Sequence, residues 1–251
     1  MNTSAPHKSA AFLIIGNEIL SGRTQDKNLS YVANALSQKH IPLKEVRVVR
    51  DEKEAIIKAL TDLCADNAYV FTSGGIGPTH DDITTQCVAA FMGKSLTLHR
   101  EADQTLRDYY KERINEARLK MAMIPSGCVL LPNPISAAPG FHNGQVFVCA
   151  GIPSVFQAMV DYAVQGLLEG KPLFSETIVS LLGEGDLTPI LSQVQHTYPS
   201  VEIGSYPRFD AQKCSVSIVF RSHLKDSLKN AVQAVEKKIA QKEKEMGARG
   251  I

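Results

Sequence analysis

The sequence has almost no net charge, with 27 Lys and Arg against 26 Asp and Glu, a formal balance of +1. A chain that neutralises many backbone phosphates carries a basic excess, so nucleic acid is not expected as the main partner. Paired cysteines are missing too. Cys64, Cys87, Cys128, Cys149 and Cys214 form no CxxC pair, are odd in number, and mostly fall inside apolar runs. Free thiols in a reducing compartment are expected, and no zinc knuckle. Long apolar runs are also absent. Ala10–Ile15 is too short for a signal core or a membrane span, so a cytoplasmic protein without membrane contact is expected. There is no internal repeat and no low-complexity segment. No Gly-Lys-Ser/Thr closes a Walker A loop, and the GxGxxG dinucleotide fingerprint does not occur.

What is present is a chain of 251 residues with 44% hydrophobic content, enough for one or two domains. The first two-thirds alternate strand and helix. Ala10–Ile15 reads as a strand covered on both faces. Asn28 reads as the N-cap of a helix carrying Leu29, Val32 and Leu36. A strand at 43–49, a helix with Ile56, Leu60 and Leu63, and a strand at 68–72 follow. Helices are expected near 82–91 and 99–122, and a strand at 145–150. Pro153 opens a helix with Phe156, Met159, Val160 and Ala163 on one side. Strands separated by helices imply a mostly parallel α/β sheet.

The pattern changes after Glu169-Gly170-Lys171-Pro172. A strand at 173–182, a helix at 186–197, strands at 201–206 and 214–221 and a helix at 224–246 describe a small α+β module. Its last helix carries Leu224, Leu228, Val232, Val235 and Ile239 on one stripe, suited to a homo-oligomer interface or to a core. The expected organisation is a disordered N-terminus at 1–8, a nucleotide-site domain at 9–170 and a second domain at 171–251.

The strongest chemical signal runs from Ser73-Gly74-Gly75-Ile76-Gly77-Pro78-Thr79 into His80-Asp81-Asp82. It lies where a buried strand meets a helix, the place where open parallel sheets bind ligands. Gly74, Gly75 and Gly77 let the backbone approach an anion and aim several N–H groups at it. The following helix adds its positive end. Ser73 and Thr79 can donate hydroxyl hydrogen bonds to phosphate oxygens. Thr79 and Asp82, three apart, also fit a capping box. Asp81 and Asp82 beside a phosphate conflict unless a hard divalent cation such as Mg2+ lies between, which makes both candidates for metal binding or water positioning. Glu18, in Gly16-Asn17-Glu18-Ile19-Leu20, supplies a third carboxylate on the same rim. Asn17, Asp26 and Asn28 are rim candidates, as are Pro139 and Gly140 in a proline-bounded loop.

These strings resemble the molybdopterin-binding (MoaB/Mog-like) domain, in the branch of CinA-type competence/damage-inducible proteins. The same domain type precedes the synthetase part of eukaryotic FAD synthases. The likeness spans roughly residues 8 to 168, and residues 173 to 246 are similar to the KH-like module that follows it in CinA proteins. The resemblance implies a three-layer α/β/α fold and a phosphate-bearing ligand, a nucleotide or pterin phosphate. The glycine-loop residues carry over as phosphate binders, and Asp81, Asp82 and Glu18 as metal or catalytic candidates. In the CinA and FAD synthase branches the implied activity is metal-dependent pyrophosphate hydrolysis of ADP-ribose or FAD. In the Mog branch it is molybdopterin binding and adenylylation. Ser136 stands where the family's Asn-Pro-x-Gly-x-Ala-Pro-Gly has glycine, and Gly183-Glu184-Gly185-Asp186 is not a GxxG clamp for RNA. The amidase domain of full-length CinA proteins has no counterpart in this sequence, so deamidation of nicotinamide nucleotides is not implied.

Three functions are thus open: a nucleotide diphosphate hydrolase, a molybdopterin-binding or adenylylating protein, and a non-catalytic module in which the second domain mediates assembly.

Overall fold

The computed structural model describes residues 8–210 and 213–248, so the tail expected to be disordered lies, apart from Lys8, outside the described residues. The chain divides into two compact units, with the division between Gly170 and Lys171.

The first unit grows from β1 (Ala10–Ile15), buried at every position. A strand sends alternate side chains to opposite faces. Ala10, Phe12 and Ile14 therefore enter one core, and Ala11, Leu13 and Ile15 another. The chain continues through α1 (Asn17–Leu20), α2 (Asn28–Gln38), β2 (Leu43–Val49), α3 (Lys53–Asp66), β3 (Tyr69–Ser73) and α4 (Thr84–Phe91). After β4 (Leu96–Leu98) come α5 (Arg100–Tyr110), α6 (Glu116–Leu119) and β5 (Met123–Pro125). The unit closes with β6 (Val129–Leu131), β7 (Gly140–His142), β8 (Val146–Cys149) and α7 (Pro153–Gln165). Val32 and Leu36 of α2 join Phe156 and Met159 of α7 in the first core, while α3 and α4 supply Leu60, Leu63 and Val88 to the second. The result is the three-layer α/β/α arrangement.

The sheet order is β2-β1-β3-β8-β7-β6. β1 is parallel to β2 and β3, and β3 to β8. β7 runs against both β8 and β6, so one edge is antiparallel. Strands of three residues carry no readable periodicity, which is why β6 and β7 are invisible in the sequence.

The single helix expected over 99–122 is broken. Lys111, at the C-terminal end of α5, takes φ 50°, and a 3-10 turn follows at Lys111–Arg113. Asn115 then caps α6 by accepting the Arg118 N–H, a start signal lying inside the periodic run. A second 3-10 turn occupies Lys120–Ala122. This excursion is closed at its base by antiparallel β4 and β5 and buries its own Ala102, Leu106, Met121 and Ala122.

The second unit comprises β9 (Phe174–Ser180), α8 (Glu184–Thr197), β10 (Glu202–Asp210), β11 (Lys213–Ser222) and α9 (Lys225–Ala248). Its antiparallel sheet has the order β10-β11-β9. Leu228, Val232, Val235 and Ile239 of α9 pack with Val216, Ile218 and Phe220 of β11. The stripe proposed for an oligomer interface is thus occupied by the unit's own core, and Leu224 stands before the helix, exposed. Gly183 flanks the start of α8, so Gly183-Glu184-Gly185-Asp186 forms the first helical turn, two residues earlier than expected.

Cys64, Cys87, Cys128 and Cys149 are free thiols. Burial pushes the Cys64 thiol up to about 11 and the Cys149 thiol up further, so neither ionises near neutrality. Among the described residues no helix is long and apolar enough to cross a membrane.

Candidate functional site

Because β1, β2, β3 and β8 are parallel, their carboxyl ends share one rim. The chain leaves β1 for β2 on one side and returns as β3 on the other, so a topological switch point falls between β1 and β3. The reversed direction of β7 sets Gly140 beside the end of β8, and Leu131 at the end of β6 pairs with Gly140. Loops 16–27, 50–52, 74–83, 132–139 and 150–152 therefore all open onto this rim.

Two glycines bring the loop after β3 against its neighbours. Gly74 has φ +105°, and a Cβ there would run into the Ile15 carbonyl of β1. Gly75 has φ +69°, and a Cβ would overlap the Thr84 hydroxyl. The Thr84 N–H donates to the Gly75 carbonyl at 2.9 Å, folding the loop back onto α4. The Gly74 N–H donates to the Cys149 carbonyl at 3.2 Å, so it serves β8. Among the described residues the N–H groups of Gly75, Ile76 and Gly77 have no protein acceptor.

Asn28 is not an N-cap. α2 begins at Asn28 itself, and the capping is done by Asp26, whose Oδ1 accepts the Leu29 N–H at 2.8 Å. The Asn28 side chain is buried instead, with Nδ2 donating to Ser73 Oγ at 2.8 Å and to the Gly151 carbonyl at 2.9 Å. Ser73, expected to face a phosphate, is only 3% exposed. Its hydroxyl accepts from Asn28 and donates to the Ala150 carbonyl at 3.5 Å. Both residues tie the rim together from below.

The capping box between Thr79 and Asp82 is half formed. Asp82 Oδ2 accepts the Thr79 N–H at 2.8 Å, but α4 starts only at Thr84, so this pair closes the loop and not the helix. Thr79 Oγ1 lies 2.5 Å from both Asp81 Oδ1 and Asp82 Oδ2. The hydrogen bond from Thr79, followed by one from its own backbone, holds the Asp81 carboxyl below its usual range, with His80 and Lys120 adding to the effect. The side chain of His80 is 98% exposed and 3.9 Å from Asp81. The Glu18 carboxylate folds back along its own turn, where a Cβ on Gly16 would lie 2.5 Å from Oε1. Among the described residues no group of three or more His, Cys, Asp and Glu is arranged to hold a metal. The three carboxylates thus stand as a joined aspartate pair and a separate Glu18.

Asn133 organises the loop that precedes β7. Its Nδ2 donates to Ser136 Oγ at 2.6 Å and to the Ala138 carbonyl at 2.8 Å, while Oδ1 accepts the Ile135 and Ser136 N–H groups. The serine at the family's glycine position thus fastens the loop to itself. Pro139 leads into Gly140, where a Cβ would meet the Val148 carbonyl, so the glycine is required by strand packing.

Two residues escaped the sequence reading. Asp51 lies two residues past the end of β2, and its Oδ2 accepts the Asn17 N–H at 2.9 Å, joining two rim loops. Its place just past a strand was a usable signal. Lys120 donates from Nζ to the Thr79 carbonyl at 3.2 Å and the Asp82 carbonyl at 3.1 Å. Nothing local in the sequence marks it, because its segment reads as plain helix.

Residues 11–170 match the family described as probable molybdopterin binding domain, and residues 172–245 match FAD synthase, middle domain. A protein of Pyrobaculum calidifontis is 33% identical over 248 residues, spanning 93% of this chain and 95% of the relative. One from Aeropyrum pernix is 32% identical and spans 92% of each chain. The crystal structure of the protein CinA, of unknown function, from Thermoplasma acidophilum matches with a TM-score of 0.59 and 32% identity. It covers 62% of this chain and 95% of its own.

Proposed function

Since the chain belongs to the probable molybdopterin binding domain family and carries a FAD synthase middle domain after it, we propose that it binds a phosphate-bearing nucleotide and hydrolyses its diphosphate. The observation that carries this reading is the glycine loop at the β1/β3 switch point, with three successive N–H donors and two aspartates at its far end. ADP-ribose and FAD are the substrates in view. The N–H groups of Gly75, Ile76 and Gly77 bind phosphate oxygens and stabilise the charge that builds on them. Ser73 and Asn28 hold the loop in place, and a carboxylate of Asp81, Asp82 or Glu18 orients the attacking water.

A divalent metal is proposed at the aspartate pair, which among the described residues offers only two protein carboxylates to hold it. Thr79 Oγ1 has one hydrogen and can donate to one carboxylate, although both lie 2.5 Å away. A hard cation beside the two carboxylates would offset their mutual repulsion. Asp81 and Asp82 would hold such an ion, with the remaining positions taken by phosphate oxygens and water. When bound, it supplies Lewis acidity toward the phosphate oxygens.

The test is incubation of the purified chain with ADP-ribose or FAD and Mg2+. Release of AMP is expected, and its absence with every divalent metal tried defeats the hydrolase reading. The family description favours a second reading, in which the same cradle holds molybdopterin or serves its adenylylation. Tight binding of a pterin phosphate without turnover of either dinucleotide would select it.

A further inference from the structure

Lys120 occupies the last 3-10 turn of the excursion closed by β4 and β5. Met121 and Ala122 are buried with Ala102 and Leu106, which fixes the backbone from which the half-buried lysine side chain departs. Nζ ends on two carbonyl oxygens of the glycine loop, Thr79 at 3.2 Å and Asp82 at 3.1 Å. Among the described residues it is the one Lys or Arg side chain bonded to residues 74–83. An ammonium has three donors, and these carbonyls take two.

Two physical effects follow. The acceptor carbonyls belong to peptide groups whose N–H hydrogens are carried by His80 and Ile83. A cation on the oxygen side polarises these two peptides, at the aspartate end of the loop and separate from the Gly75, Ile76 and Gly77 donors. The loop also holds the carboxylates of Asp81 and Asp82, which repel an incoming phosphate, and a cation bonded to the same two turns offsets that repulsion.

We infer that Lys120 is a positioning residue that shapes the glycine loop from behind and selects anionic diphosphates over neutral nucleosides. The inference rests on reading the loop as a phosphate cradle. Lys120 acts through the loop and touches no reacting atom.

Binding of ADP-ribose, inorganic pyrophosphate and adenosine to the full chain is measured at low and high salt for the wild type, Lys120→Gln and Lys120→Arg. Glutamine keeps a donor toward the carbonyls and removes the charge. Lys120→Gln should weaken both anions by about tenfold, the scale of a charge-assisted hydrogen bond. It should flatten the salt dependence and leave adenosine unmoved. Lys120→Arg should stay within about threefold of the wild type, since it keeps the charge. Equal anion affinity and equal salt slope in Lys120→Gln overturns the inference and leaves the cradle standing. A wild type that binds neither anion overturns the cradle reading and this inference with it. If Lys120→Gln does not fold, Lys120→Arg decides alone, and a tenfold or greater loss there overturns the inference (about 1.4 kcal/mol).

Discussion

Asn28 Nδ2 stands 2.8 Å from Ser73 Oγ, joining residues 45 apart in the chain at one buried point beneath the rim. The same amide donates to the Gly151 carbonyl at 2.9 Å, so one side chain ties the start of α2 to the ends of β3 and β8. Its Oδ1 is buried without a partner, a cost that the two donated bonds offset.

Asn28→Ala should therefore destabilise the first unit by about 1–3 kcal/mol, because Ser73 and Gly151 lose a donor in a buried place. Asn28→Asp should be at least as harmful, since it sets a carboxylate where two donors are needed. Urea unfolding checks both. Stability equal to the wild type in Asn28→Ala would show that the tie is incidental.

Gly74→Ala and Gly22→Ala separate backbone strain from crowding. Both glycines have positive φ, but nothing lies within 4 Å of a Cβ on Gly22, whereas one on Gly74 meets the Ile15 carbonyl. Gly22→Ala should cost about 1 kcal/mol from conformation alone. Gly74→Ala should cost about 2 kcal/mol more and abolish the proposed anion binding, because backbone and not a side chain must move. Thermal unfolding of the two variants in parallel is the measurement, and equal losses would contradict the close approach of β1 to the loop.

Asp82→Asn keeps an acceptor for the Thr79 N–H and removes one charge. The fold should persist, with stability changed by less than about 1 kcal/mol. AMP release should fall by at least about a hundredfold if the carboxylate serves metal or water. A folded variant with full activity would remove Asp82 from that role.

His142 contributes an acid-sensitive component to the stability of the first unit. Its ring stacks on Phe147 with centroids 4.9 Å apart, and Nδ1 accepts the Gly144 N–H at 3.2 Å. Burial lowers its pKa, so the native state prefers the neutral ring. The unfolded chain then takes up a proton first as pH falls through about 6.5, and stability drops until the folded pKa is passed. His142→Phe should remove that component. Melting temperature followed from pH 8 down to about pH 5 tests it, and identical slopes for variant and wild type would exclude His142 as the source.

The legible parts of this protein are those where one residue pattern has one structural outcome. The unbroken apolar run of β1 admits only a strand covered on both sides, and the glycines after β3 admit only a close turn. Asn28 misled because asparagine before an apolar stripe is a common cap, and local pattern cannot reveal a partner at Ser73. β6 and β7 were lost because each depends on pairing across the sheet. Lys120 and Asp51 took their meaning from carbonyl and amide groups far along the chain, Lys120 from Thr79 and Asp82 and Asp51 from Asn17.

The loop before β7 owes its shape to Asn133, while the glycine loop owes its own to Gly74, Gly75, Thr84 and Lys120. The two loops open on the same rim, and among the described residues no hydrogen bond joins them. If the proposed function holds, changes in the loop before β7 should alter which organic group is admitted while leaving anion binding by the glycine loop intact.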